Sequence, residues 1–252
     1  MTGDGKMEED KRKALLMTVG GSHAPLLFSL RSNRPDAVVF FASRGSRRQV
    51  TEKLIPALLA EGLPLPDHEF VITPDEQDLG ASVFELLAAV PKAMEKLGFG
   101  RRRWPALADY TGGTKTMSAA TVWASSRERC DFSYIGAAGG ERTKDGLGVV
   151  VGGRELCLLR ENPWNKIAYF EIDSAMRFFN QGQYGNAAAL LGEMAAKVSE
   201  PTARRMFAAL RDVVSGFFHW DVFDHKRAVA SLGKSLAPLL DSRRMAMACC
   251  RG

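Results

Sequence analysis

The sequence predicts an α/β protein: a mainly parallel sheet with helices on both faces and a β-hairpin at one edge, followed by an all-α region. Three observations predict it. Up to residue 161, short apolar runs alternate with helical stretches, the pattern of a parallel sheet covered on both sides. Val149-Val150-Val151 and Glu155–Leu159 flank Gly152-Gly153, as two strands flank a tight turn. After Asn162-Pro163-Trp164 the strand-like runs vanish and apolar residues recur with helical spacing. The expected domains are a charged tail over 1–13, an α/β ligand-binding domain over 14–161, a helical domain over 162–240 and a second tail over 241–252.

Leu15–Gly20 (LLMTVG) reads as a buried strand ending in Gly20-Gly21-Ser22-His23, with a short helix from Ala24 to about Asn33. Ala37–Ala42 (AVVFFA) is a second apolar strand, followed by a helix from about Ser46 to Glu61. Phe70–Thr73 is a third strand. Asp78–Leu97 then places Leu79, Val83, Leu86, Leu87, Val90 and Met94 on one helical side. Pro105–Tyr110 is a fourth strand running into Thr111-Gly112-Gly113-Thr114, and a helix follows from Lys115 to about Arg129. Asp131–Gly136 is the fifth.

In the second region Phe170, Ala175, Met176 and Phe179, then Gly182, Tyr184, Ala187 and Leu191, predict helix, tight turn, helix. One such unit resembles a tetratricopeptide repeat, but a plain helical bundle is the favoured reading. A further helix pair is expected around Met206–Phe218 and His225–Leu240. Asp241–Gly252 has no amphipathic period and reads as a frayed tail or the truncated end of a longer chain.

Composition narrows the function classes. Hydrophobic residues make up 46% and charged residues 25%, enough for a full core. No apolar run approaches the ~18 residues of a membrane span, and the charged N-terminus is not a secretory signal. Cys130, Cys157, Cys249 and Cys250 lack zinc-site spacing, so no metal is expected and a reducing cytoplasm is the expected location. A net charge of +5 favours an anionic partner.

The chemistry concentrates in Asp109–Ser118 (DYTGGTKTMS). Two glycines let the backbone turn sharply and approach a ligand closely, and the next helix start offers unpaired N–H groups suited to phosphate. Thr111, Thr114 and Thr116 add hydroxyls, and Lys115 adds a full charge. Thr114, not Gly, precedes Lys115, so the segment is not a Walker A loop. Gly20-Gly21-Ser22-His23 also lacks the G-x-G-x-x-G spacing of dinucleotide folds. In a doubly wound sheet both segments lie on the strand-end rim that faces the ligand crevice.

A strand ending in GGSHAP together with DYTGGTKTMSAA opening a later helix resembles the CARF proteins, the CRISPR-associated Rossmann fold, over about residues 14–161. The helices after Asn162-Pro163-Trp164 resemble the subgroup with a C-terminal helical region. The resemblance implies a Rossmann-like domain in a homodimer, with a cyclic oligoadenylate lying over the two-fold axis. Cyclic tetra-adenylate is the favoured ring. It also implies ligand contacts from Gly20, Gly21, Ser22, His23, Thr111, Gly112, Gly113, Thr114, Lys115 and Thr116. Some members cleave the ring without metal; here Lys115, Ser22 and Thr114 would be the catalytic groups. Others bind only, and the helical region then contacts a protein partner. No cofactor is implied.

Two nuclease signatures fit poorly. The C-terminal His219 and His225 have no Arg four to six residues upstream, as a HEPN ribonuclease requires. Asp224-His225-Lys226, with Asp212 and Asp221, has the D-x-K form of a metal-dependent nuclease but sits in a helical stretch. Packing is the expected role of His219, Trp220 and His225.

Overall fold

The computed structural model describes residues 12–100, 102–137 and 155–235. The chain divides into two units between Glu161 and Asn162. In the first, six strands form one sheet: β1 (Ala14–Thr18), β2 (Ala37–Ala42), β3 (Asp67–Ile72), β4 (Leu107–Asp109), β5 (Asp131–Ala137) and β6 (Glu155–Arg160). They lie in the order β3-β2-β1-β4-β5-β6. The first five are parallel, and β6 joins the edge antiparallel to β5, with Ser133 opposite Leu159 and Ile135 opposite Cys157. This is the Rossmann-like order, with its switch point between β1 and β4. The antiparallel edge is thus present in β6; the expected partner arm, Val149–Val151, lies outside the described residues.

Four helical segments cover the sheet: α1 (Ala24–Asn33), α2 (Gln49–Leu54, wound i→i+5, continuing as Ile55–Ala60), α3 (Leu79–Lys96) and α4 (Lys115–Ser125). Strand periodicity divides the core. Leu16, Val39, Phe41 and Ala108 face Leu86, Val90 and Met94 of α3 and Met117 and Ala120 of α4. Leu15, Met17, Val38 and Phe40 face Leu26 and Leu30 of α1 and Val50, Leu54 and Leu58 of α2. Every residue of β1 and β2 is buried, so these strands read as unbroken apolar runs. β3 is an edge strand with a wetter face, and it starts at Asp67 rather than at Phe70. Edge pairing tolerates the polar Asp67-His68-Glu69, which apolar patterning alone passes over. On α3, Leu79 lies 49% exposed at the first turn, outside the buried stripe that Leu86, Val90 and Met94 occupy.

The second unit contains α5 (Trp164–Ile167), α6 (Ile172–Asn180), α7 (Tyr184–Lys197) and α8 (Pro201–Asp221), and residues 225–235 are also helical. Phe207, Leu191, Met194 and Ala187 centre its core. Gly182, at φ +71°, makes the turn between α6 and α7. Asn162 explains the change of character at its position. It is buried, its Oδ1 accepts from the Trp164 N–H (2.9 Å), and its Nδ2 donates to the Lys197 carbonyl (3.0 Å). Asn165 accepts from the Ser199 and Glu200 N–H groups and so braces the α7–α8 turn. The helix expected at Met206–Phe218 starts five residues earlier because the Glu200 carboxylate caps it, accepting from the Thr202 and Ala203 N–H groups. None of the described helices is long and apolar enough to cross a membrane.

Candidate ligand cradle at the sheet switch point

β1 and β4 are neighbours from which the chain leaves toward opposite sides, and in this topology ligands bind outside such strand ends. The loops after them, Val19–His23 and Tyr110–Thr114, touch through glycine backbone. A Cβ on Gly112 would overlap the Thr18 carbonyl and stand 3.0 Å from the Gly20 nitrogen. A Cβ on Gly20 would come 2.7 Å from the Gly113 nitrogen. Gly113 has φ +79°, which disfavours other residues. Gly20, Gly112 and Gly113 therefore bring the two segments together. Gly21 is exposed with open space around it.

Beneath this contact lies Asp109, fully buried at the end of β4. Its Oδ2 accepts from the Ser29 hydroxyl (2.5 Å) and the Ser133 hydroxyl (2.7 Å), and its Oδ1 accepts from the Thr111 N–H (2.9 Å). Asn33, one turn after Ser29 on α1, donates to the Ser29 and Ser133 hydroxyls. One carboxylate thus holds α1, β5 and the glycine loop in register, with the donors that a buried charge requires. In the sequence Asp109 stands out only as the first residue of the glycine segment. The signal was an aspartate closing an apolar strand, with Ser29 and Asn33 four apart on the facing helix.

The candidate residues divide by what their polar atoms do. Thr114 caps α4: its hydroxyl accepts from the Met117 N–H (3.1 Å) and donates to the Glu76 carbonyl (2.6 Å). The Thr111 hydroxyl accepts from the Ile135 N–H (2.8 Å). Both hydroxyls are engaged in shaping the loop. Ser118 adds a bond to the Gly112 carbonyl (3.0 Å). His23 precedes α1 without a side-chain cap bond. Ser22 and Thr116 are half-buried and Lys115 is exposed, and their side chains make no hydrogen bond or ion pair with the described residues. Because Thr114 caps Met117, the Lys115 and Thr116 N–H groups are the open donors of the first turn. Ser22 stands two residues from Gly20, and Lys115 two from Gly113, so all these groups share one rim.

Beside the cradle lies an aromatic pair that no sequence motif marks. Tyr110 stacks on Tyr134 with ring centroids 5.4 Å apart and planes 19° from parallel. Burial pushes the Tyr110 hydroxyl above its ordinary value; Arg160 pulls it back, while Tyr134 and Asp109 raise it further. The phenol stays protonated and able to donate. Elsewhere Asp212, Asp224 and His225 have local partners. Asp224 caps residues 225–235 by accepting from the Arg227 N–H (3.1 Å), and His225 lies edge-on to Trp220 at 5.2 Å. Asp212 pairs with Arg211.

This fold and rim define a class: a Rossmann-like domain with a glycine-lined cradle at its switch point, followed by a helical unit. Residues 167–245 match the family model of the Csm6 6H domain. Among solved structures, Enterococcus italicus Csm6 bound to cyclic hexa-2′-fluoro-hexa-dAMP is similar at a TM-score of 0.56 and 12% identity, over 82% of this chain and 55% of that one. The chain thus spans about half the length of that Csm6. Can2 from Sulfobacillus thermosulfidooxidans in complex with cyclic tetra-adenylate is similar at a TM-score of 0.38 and 12% identity, over 85% of this chain and 69% of that one. A type III CRISPR defence DNA nuclease activated by cyclic oligoadenylate gives 0.38 and 12%, over 84% and 34%. None of the curated proteins matches the sequence. The chain thus joins a Rossmann-like domain to a helical region that is similar to the Csm6 6H domain.

Proposed function

We propose that the protein binds a cyclic oligoadenylate as a sensor in type III CRISPR antiviral signalling. One ring would lie across the two-fold axis of a homodimer. The ligand-binding domain spans 14–161 in this reading, and the helical domain spans 162–240. The observation that carries it is the Gly20–Gly112 contact. It joins the two loops that carry Ser22, Lys115 and Thr116, which supports a shared donor set of hydroxyl, ammonium and helix-start N–H groups. Phosphate is the anion such donors fit. A symmetric ring over a two-fold axis meets identical groups from each subunit. The ring-bound Csm6 structure shares the fold.

Ligand titration tests this. Wild type should bind cyclic tetra-adenylate or cyclic hexa-adenylate, and Lys115→Ala should weaken binding, with the loss shrinking at high salt. Unchanged affinity in Lys115→Ala would place the site elsewhere. Incubation with the bound ring in EDTA then separates sensing from cleavage. Linear products would show a metal-independent ring nuclease, for which Lys115 and Ser22 hold the free groups while Thr114 is engaged in its cap. An intact ring leaves a sensor that signals through its helical region, where Trp220 and Phe223 are 61% and 83% exposed and available to a protein partner.

A further inference from the structure

We infer that Arg44, Arg47 and Arg48, in the loop after β2, form an outer phosphate contact of the same ligand site. The inference rests on the oligoadenylate reading above and extends it to residues that the glycine motifs do not include. β2 is hydrogen-bonded to β1, and the pairing runs past the strand ends, where the Val19 N–H donates to the Phe41 carbonyl (2.8 Å). The loop after β2 therefore opens on the same rim as the cradle. Two strand spacings separate it from the loop after β4, roughly 10 Å.

The loop is built to hold its shape. Ser43 and Ser46 bond reciprocally: the Ser43 N–H donates to Ser46 Oγ (2.9 Å), and the Ser46 N–H donates to Ser43 Oγ (3.2 Å). Within that frame sit three exposed arginines. Arg47 is laid over the Phe70 ring at 4.9 Å. Arg44 and Arg48, four residues apart and so on one side of the turn, make no ion pair with the described residues. The loop after β3 carries Asp75, Glu76 and Asp78, of which Asp75 and Asp78 are engaged locally. Asp75 Oδ1 accepts from the Gln77 N–H, and Asp78 Oδ1 accepts from the Ala81 N–H. Glu52 follows one turn later on α2.

The placement works against local stability. Cations at the start of a helix oppose its dipole, which favours anions there. Three arginines with no carboxylate before Glu52 are a local conflict of the kind that marks functional positions. A multiply charged ligand resolves it. With Lys115 as the inner cation and the arginines about 10 Å outward, the site suits a ligand whose phosphates are spread along the rim. A single mononucleotide would reach only one of the two positions.

The test compares wild type, Arg44→Ala/Arg48→Ala and Arg44→Lys/Arg48→Lys in titrations with cyclic tetra- and hexa-adenylate at several salt concentrations. The alanine pair should bind at least tenfold more weakly and with a shallower salt slope, since a ring shared by two chains loses four arginines. The lysine pair should keep the wild-type slope. Melting temperature should stay level or rise in the alanine pair, which separates lost contacts from lost folding. If wild type binds a ring and the alanine pair binds it with equal affinity and slope, the arginine contact is wrong and the cradle stands. If wild type binds neither ring, the oligoadenylate reading itself fails.

Discussion

Replacing Gly112 with alanine tests the contact on which the cradle depends. The added methyl would overlap the Thr18 carbonyl oxygen and lie 3.0 Å from the Gly20 nitrogen and 3.1 Å from the Thr18 carbon. All three are backbone atoms, and Thr18 closes a fully buried strand, so no side chain can swing aside. Restoring ordinary contact moves the loop by roughly 1 Å, and such overpacking costs about 1–3 kcal/mol. Gly21→Ala is the matched control. Its methyl meets nothing within 4 Å, and a tolerated Gly→Ala change is neutral or stabilises by up to about 1 kcal/mol. In urea melts, with a slope of about 2 kcal/mol per molar, Gly112→Ala should lose about 1 M of midpoint and Gly21→Ala should lose none. Ring binding should fall at least tenfold in Gly112→Ala. Equal midpoints and equal affinities in the two variants would refute the close approach of the loops.

Three more outcomes follow from particular residues. Asp109→Ala leaves the Ser29 and Ser133 hydroxyls and the Thr111 N–H without their acceptor, so stability should drop by about 3 kcal/mol, with Asp109→Asn intermediate in the same denaturation assay. Gly20→Ala, whose methyl would press on the Gly113 nitrogen, should behave like Gly112→Ala in urea and in ligand titration. Burial raises the Glu200 pKa, but the N–H groups of Ala203 and Thr202 outweigh it and set the group below its ordinary 4.5. A depressed carboxylate stabilises the fold above that ordinary value and loses its contribution as pH falls through the folded pKa. Glu200→Ala should therefore cost about 1 kcal/mol near neutral pH and much less in acid, measured by helical ellipticity against urea at each pH.

The parallel sheet was legible because β1 and β2 are buried on both faces and read as unbroken apolar runs. The edge strand β3 was harder. Its first three residues are polar, and only pairing with β2 makes them strand. Gly112-Gly113 with Lys115 could be read from local composition, since a sharp turn, open N–H groups and charge coincide there. What the sequence hid was long-range. The Ser29 and Ser133 hydroxyls reach Asp109 across 80 and 24 positions, and the Thr114 hydroxyl reaches the Glu76 carbonyl across 38. Those bonds commit the Thr114 hydroxyl as both donor and acceptor, while Thr111, which only accepts from the Ile135 N–H, keeps its O–H to donate. The arginines after β2 were overlooked for a related reason. They belong to the rim only because β2 pairs with β1.

The proposed function requires one ring held between two copies of the chain. Isothermal titration of the wild-type protein with cyclic tetra-adenylate and with cyclic hexa-adenylate tests it most directly, because it yields affinity and stoichiometry together. The expected result is saturation by one of the rings at one ring per two chains. Saturation at one ring per chain would contradict the shared site, and no heat with either ring would contradict the cradle.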